Sequence, residues 1–82
     1  MSVTILYFAG LKEALGRGSE TIELPAGVHT VGALRDWLVA QGRESLAVAK
    51  NLRCAINQDM AGLDAAVKSG DEIAFFPPVT GG

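Results

Sequence analysis

Apolar and polar residues alternate over several short runs of the chain, and one longer stretch repeats at helical spacing. The run VTILYFA, Val3 to Ala9, is rich in β-forming residues and is bounded by Gly10, which predicts a strand. LKEAL predicts one or two helical turns ended by Gly16, and GRGS a turn. ETIEL alternates again, places Ile22 and Leu24 on one face, and is closed by Pro25 and Gly27. From Thr30 to Gln41, Val31, Leu34 and Leu38 share one helical stripe with Trp37 beside it. Thr30 is a suitable N-cap and Gly42 a suitable stop. ESLAVAK predicts a further turn or two of helix, and LRCAIN another strand. QDMAGLD predicts a turn flanked by short extended pieces, and DEIAFF the last strand, after a turn at Ser69-Gly70. The order β-(short α)-β-α-β-β-β makes one α+β unit. Its first two strands pair as a hairpin-like unit, and its main helix covers one face of the sheet.

Strand parity sharpens the picture. Ile5, Tyr7 and Ala9 fall on one face of the first strand, and Thr4, Leu6 and Phe8 on the other. Ile73 and Phe75 share one face of the last strand, opposite Glu72, Ala74 and Phe76. A helix over Ile5 and Phe75 leaves Leu6, Phe8 and Phe76 on the uncovered side, an unusually apolar surface for a sheet face in water. Either the chain's own loops cover it, or it docks a partner through Phe8 and Phe76 as aromatic anchors, with Met60 in the same patch.

Composition narrows the class. The 82 residues make one domain, near the lower size at which a single core is self-sufficient. A net charge of −2 and a sequence pI near 5.2 argue against a nucleic-acid partner. Cys54 is the single cysteine and has no disulfide partner within the chain, which fits a reducing cytoplasm. The apolar opening has no basic stretch ahead of it and reads as a strand rather than a signal peptide. No segment is long and apolar enough to cross a membrane.

The chain ends on FFPPVTGG, which divides it into a domain over 1–76 and a tail over 77–82. Pro77 stops the last strand because it has no N–H, and Pro77-Pro78 favours an extended path. Six such residues reach roughly 20 Å. Val79 and Thr80 add stiffness and one apolar grip, while Gly81 and Gly82 pass through a channel too narrow for a Cβ. The only reactive group at such an end is the terminal carboxylate. A carboxylate is a poor nucleophile and needs activation, most simply as an acyl-adenylate formed on ATP. The chain has no GxxxxGK[ST] loop of its own, so another protein must activate it.

These residues carry a family resemblance. The β-β-α-β order ending in Gly-Gly is similar to the ubiquitin-like β-grasp: a mixed sheet of about five strands with one main helix on one face. GDEIAFFPPVTGG resembles the C-terminal signature of the small subunits of molybdopterin synthase, the MoaD family. ILYFAGLKEALG, TVGALRDWL and AINQD extend the likeness along the full chain.

The resemblance implies a sulfur carrier. An activating enzyme related to ubiquitin-activating proteins uses ATP and magnesium to adenylate Gly82. A sulfur donor then converts it to a thiocarboxylate, and Gly81 is needed for passage. The large subunit of molybdopterin synthase receives the tail, in a heterotetramer, and a cyclic pterin phosphate takes the sulfur on the way to molybdenum cofactor. Phe8, Met60 and Phe76, with Pro77, Pro78, Val79 and Thr80, match partner-binding positions, and Lys12 matches a basic position near the tail. This chain binds no cofactor itself and has no catalytic residues alone. Sulfur carriers of the thiamine type share the fold and the Gly-Gly end but lack the Phe-Phe-Pro-Pro lead-in. A ubiquitin-like modifier and an inert-tailed binding module are the other readings.

The remaining reactive residue types have plainer explanations. Cys54 has the parity of a small core residue. His29 has no second ligand nearby, so no metal site is expected. Asp36, Asp59, Asp64 and Asp71 read as solvated carboxylates on turns and a helix surface.

Overall fold

The structure is a computed structural model and describes residues 2–48 and 52–77. Among the described residues, five strands and three helices follow one another: β1 (Ser2–Tyr7), α1 (Gly10–Leu15), β2 (Ser19–Glu23), α2 (Val31–Ala40), α3 (Ser45–Val48), β3 (Arg53–Ile56), β4 (Asp59–Ala61) and β5 (Glu72–Phe76). The sheet order is β2-β1-β5-β3-β4. β1 and β5 run parallel in the middle, with Ile5 opposite Ile73 and Tyr7 opposite Phe75. All other pairs are antiparallel. The predicted element order holds throughout.

Period-2 patterning decides which face is covered. Val3, Ile5 and Tyr7 of β1 and Ile73 and Phe75 of β5 are buried against Val31, Leu34 and Leu38 of α2, with Leu11 and Leu46 closing the sides. Thr30 caps α2 as expected: its backbone is extended and its Oγ1 accepts from the Ala33 amide at 3.2 Å. At the other end Gly42 adopts φ 103°, its amide bonds Val39 O at 3.0 Å, and the Arg43 amide bonds Leu38 O at 3.0 Å. That pair of bonds is a Schellman stop, and it turns Arg43 back toward the sheet.

Two turns differ from the expectation. The strand in LRCAIN ends at Ile56, and the reversal falls on Asn57 (φ 50°) and Gln58 (φ 73°), ahead of QDMAGLD's centre. Two positive φ values between paired strands mark a type I′ turn. Asn57 is held there by β5: its amide bonds Glu72 O at 2.8 Å and its Oδ1 accepts from the Glu72 amide at 3.0 Å. β1 in turn ends at Tyr7 rather than Ala9, because the chain turns at Ala9.

 Ala9 itself sits at φ 53° and ψ −129°, and the Leu11 amide bonds Phe8 O at 3.1 Å across it. This is the first central position of a type II′ turn, a place that ordinarily takes glycine.

The N-terminus of α2 is closed by backbone rather than left open. The Val31 amide bonds Ala65 O at 3.0 Å and the Gly32 amide bonds Leu63 O at 2.8 Å. A Cβ on Gly32 would lie 3.1 Å from that same Leu63 oxygen, whereas one on Gly10 meets no described atom within 4 Å. Gly32→Val is therefore expected to lower stability by about 1–3 kcal/mol in urea unfolding, with Gly10→Ala neutral or stabilising.

Candidate functional site

The face of the sheet opposite α2 carries a continuous apolar row. The register aligns Leu6 of β1 with Ala74 of β5, Ala74 with Ala55 of β3, and Ala55 with Met60 of β4. One level further along, Phe8 follows β1 and Phe76 closes β5 opposite Arg53. The two rings meet edge to face with centroids 6.3 Å apart. Phe8 is 47% exposed and Met60 61% exposed, so the described residues leave this surface uncovered. Phe76 and Pro77 are half-buried.

The structure thus brings Phe8 and Phe76 together at the root of the C-terminal segment and sets Met60 on the same face. Met60 lies two strands from β5, roughly 10 Å at ordinary strand spacing. Pro78, Val79, Thr80, Gly81 and Gly82 lie outside the described residues. Lys12 is exposed on α1 and its side chain runs along Gly18, where an added Cβ would come within 3.3 Å of its Cε. Leu63, 41% exposed, was not singled out by patterning and belongs to the loop that closes α2.

Cys54 is buried on the covered face, its thiol donating to Ala61 O at 3.0 Å. Burial pushes that thiol up, with a weaker opposing pull from Arg35, so the reactive thiolate is disfavoured. Among the described residues no three His, Cys, Asp or Glu side chains gather as a metal site.

One acidic residue contradicts the expectation. Asp71 is not a solvated carboxylate; it is 4% exposed. It accepts from the Lys68 amide at 2.9 Å, Lys68 Nζ at 3.3 Å and Asn57 Nδ2 at 3.0 Å. Burial would raise its pKa. The bonds from Asn57 and Lys68, with the Lys68 charge, outweigh burial and hold the carboxyl below its usual range. Asp71 thereby ties the I′ turn at Asn57 to the turn before β5.

A second polar cluster gave no signal in sequence. Glu20 of β2 accepts from the Tyr7 hydroxyl at 2.6 Å and from Arg43 Nε at 3.2 Å, and Arg17 reaches it at 3.2 Å. Burial opposes its charge, yet the bonds from Arg43 and Tyr7 keep Glu20 below the ordinary carboxylate range. Burial, then the Glu20 bond and charge, push the Tyr7 phenol well up, so it stays protonated as the donor. The cluster fastens β1, β2 and the turn after α2 behind Phe8.

Residues 5–82 match the sequence model of the ThiS family. The chain belongs to the ThiS family. This ThiS-family chain is 45% identical over 82 residues to the molybdopterin synthase sulfur carrier subunit of Haemophilus influenzae, covering 98% of this chain and 99% of that protein. To the subunit of the same name from Escherichia coli it is 42% identical, with the same coverage. It also superposes on the crystal structure of SAMP1 from Haloferax volcanii with a TM-score of 0.80 and 31% identity, covering both chains completely. The ubiquitin-like β-grasp is the fold of this ThiS-family chain, and the likeness read from FFPPVTGG holds along its full length.

The Asp71 carboxyl has a folded pKa below its ordinary value of 3.8, so its stabilisation is complete above that pH and is lost as pH falls through the folded value. Asp71→Asn should cost about 1–3 kcal/mol at pH 7. In denaturant titrations the gap from the unaltered chain should close as pH drops below 3.8.

Proposed function

We propose that this chain is the sulfur-carrier subunit of a molybdopterin synthase, with Gly82 bearing the carboxylate that becomes a thiocarboxylate. The observation that carries this reading is an aromatic pair, exposed Phe8 against half-buried Phe76, at the root of a segment ending in Gly81-Gly82. Full-length likeness to proteins named as sulfur carrier subunits supports it.

The chemistry divides between face and tail. The open face docks first on an activating enzyme and later on the large synthase subunit, with Phe8, Phe76 and Met60 as the apolar anchors. Pro77, Pro78, Val79 and Thr80 carry the terminus from that face into the partner's active site. There the Gly82 carboxylate attacks the α-phosphate of ATP, in the activating enzyme with its magnesium, and pyrophosphate leaves. A sulfur donor displaces AMP and leaves the thiocarboxylate, a soft anionic nucleophile at neutral pH. In the large subunit this sulfur passes to a cyclic pterin phosphate, and hydrolysis returns Gly82 to a carboxylate. We place these steps in the cytoplasm and the working assembly as a heterotetramer.

A second reading has its own support. Small archaeal modifier protein 1 of Haloferax volcanii, named as a modifier, shares this fold at 31% identity. A modifier uses the same activated glycine but passes it to a lysine amine. The C-terminal peptide's mass separates the two. In a Cys54→Ala background, treated with an alkylating reagent, protein from its own cells should carry the alkyl group on Gly82. Isopeptide conjugates of Gly82 without any thiocarboxylate would favour the modifier.

The docking face is tested most cleanly at Phe8, which is more exposed than Phe76. Phe8→Ala should weaken binding to the large subunit at least about tenfold in calorimetry. The melting temperature should stay within a few degrees, and a large drop would make Phe8 a core residue. Gly81→Val should leave docking unchanged and block adenylation, measured as ATP–pyrophosphate exchange.

A further inference from the structure

The open face of the sheet is not uniform in charge. Register sets Glu23 opposite Ser2 and Glu72 opposite Thr4 at one end of it, and Arg53 opposite Phe76 at the other. The apolar row from Leu6 to Met60 lies between. Arg53 is the only cation in the described strands. The face therefore runs from acidic, through apolar, to basic beside the Phe8–Phe76 pair.

Arg53 belongs to whatever covers that pair. Its neighbour Cys54 faces the core opposite Phe75, so Arg53 and Phe76 share the open side. Directly opposed side chains of an antiparallel pair have their Cβ atoms about 5 Å apart, so a surface seated on Phe76 reaches Arg53 as well. Arg17, Arg35, Arg43 and Lys68 each have a carboxylate in this chain. Arg53 is exposed, and among the described residues its side chain has no hydrogen bond or ion pair. Glu72 lies four residues back from Phe76 along β5, roughly 13 Å at ordinary strand rise, too far to become its partner on docking. A guanidinium does not deprotonate, so covering it strips water from a charge that stays. Left unpaired, that charge counts against binding. Met by a carboxylate, it favours binding and rejects surfaces that lack one.

We propose that Arg53 is a specificity-determining residue for the large synthase subunit, which meets it with a carboxylate at the rim of the apolar surface that takes Phe8 and Phe76. The identity of the partner rests on the sulfur-carrier reading; the need for an acidic acceptor follows from the place of Arg53 beside Phe76.

The test is calorimetry of the full chain with the large subunit, at low and at high salt, using Arg53→Leu, Arg53→Glu, Arg53→Lys and Phe8→Ala. Arg53→Leu should weaken binding about tenfold at low salt and by less at high salt, because part of the lost attraction is already screened there. Arg53→Glu should weaken it further, and Arg53→Lys should keep most of the affinity. Phe8→Ala removes apolar area rather than charge and should weaken binding equally at both salt concentrations. The Arg53 variants should melt within a few degrees of the unaltered chain; a large drop makes the residue structural and overturns the proposal. Unchanged or tighter binding of Arg53→Leu, beside a weakened Phe8→Ala, overturns the proposal and leaves the docking face standing. A loss from Arg53→Leu that is the same at both salt concentrations indicates a neutral acceptor and overturns the carboxylate. Normal binding of Phe8→Ala refutes the docking face and this proposal with it. An unaltered chain that does not bind the large subunit refutes the sulfur-carrier reading itself.

Discussion

The parallel pairing of β1 with β5 is the contact on which the rest of the molecule depends. It sets Ile5 beside Ile73 and Tyr7 beside Phe75, and these four side chains are buried almost completely under α2. Because strand side chains alternate, the same register that buries Tyr7 and Phe75 forces Phe8 and Phe76 to the other face. A slip of one residue would exchange the two sets, exposing the core and burying the aromatic pair. The packing that stabilises the fold and the placement of the candidate docking anchors therefore have one cause.

That register needs support at its periphery, where the apolar core thins out. Glu20 joins β2 to Tyr7 and to Arg43 beyond α2, and Asp71 joins the start of β5 to Asn57 and Lys68. Each carboxylate is buried enough that an unpaired charge would be costly, and each is held by several donors. Tyr7 links the core to the Glu20 cluster, with its ring in the core and its hydroxyl on Glu20. The C-terminal end of β1 and the start of β5 are thereby fixed at opposite ends of the parallel pair.

Element order, helix cap and face assignment were legible in the sequence because each depends on neighbours within a turn or on period-2 alternation. Thr30, Gly42 and the Ile5–Tyr7 parity are of this kind. The polar clusters were not legible. Glu20 meets Arg43 across 23 residues and Asp71 meets Asn57 across 14, and nothing local separates such a carboxylate from a solvated one. The turns at Ala9 and at Asn57-Gln58 were misplaced for a related reason. Their positive φ values fall on residues other than glycine, where the backbone is tied to β5 by the Phe8 amide on Phe75 O and the Asn57 amide on Glu72 O. Within the candidate site, Phe8, Phe76 and Met60 were legible from parity and composition, while the cluster behind Phe8 was not.

A C-terminal strand in the middle of a sheet is an uncommon place from which to launch a tail. An edge strand would let the terminus leave freely, but its last residue would be held from one side only. Placing β5 between β1 and β3 ties Phe75 O to the Phe8 amide on one side and pairs Phe76 with Arg53 on the other, with the Phe8 and Phe76 rings in contact, so the end of β5 is defined with respect to the candidate docking face.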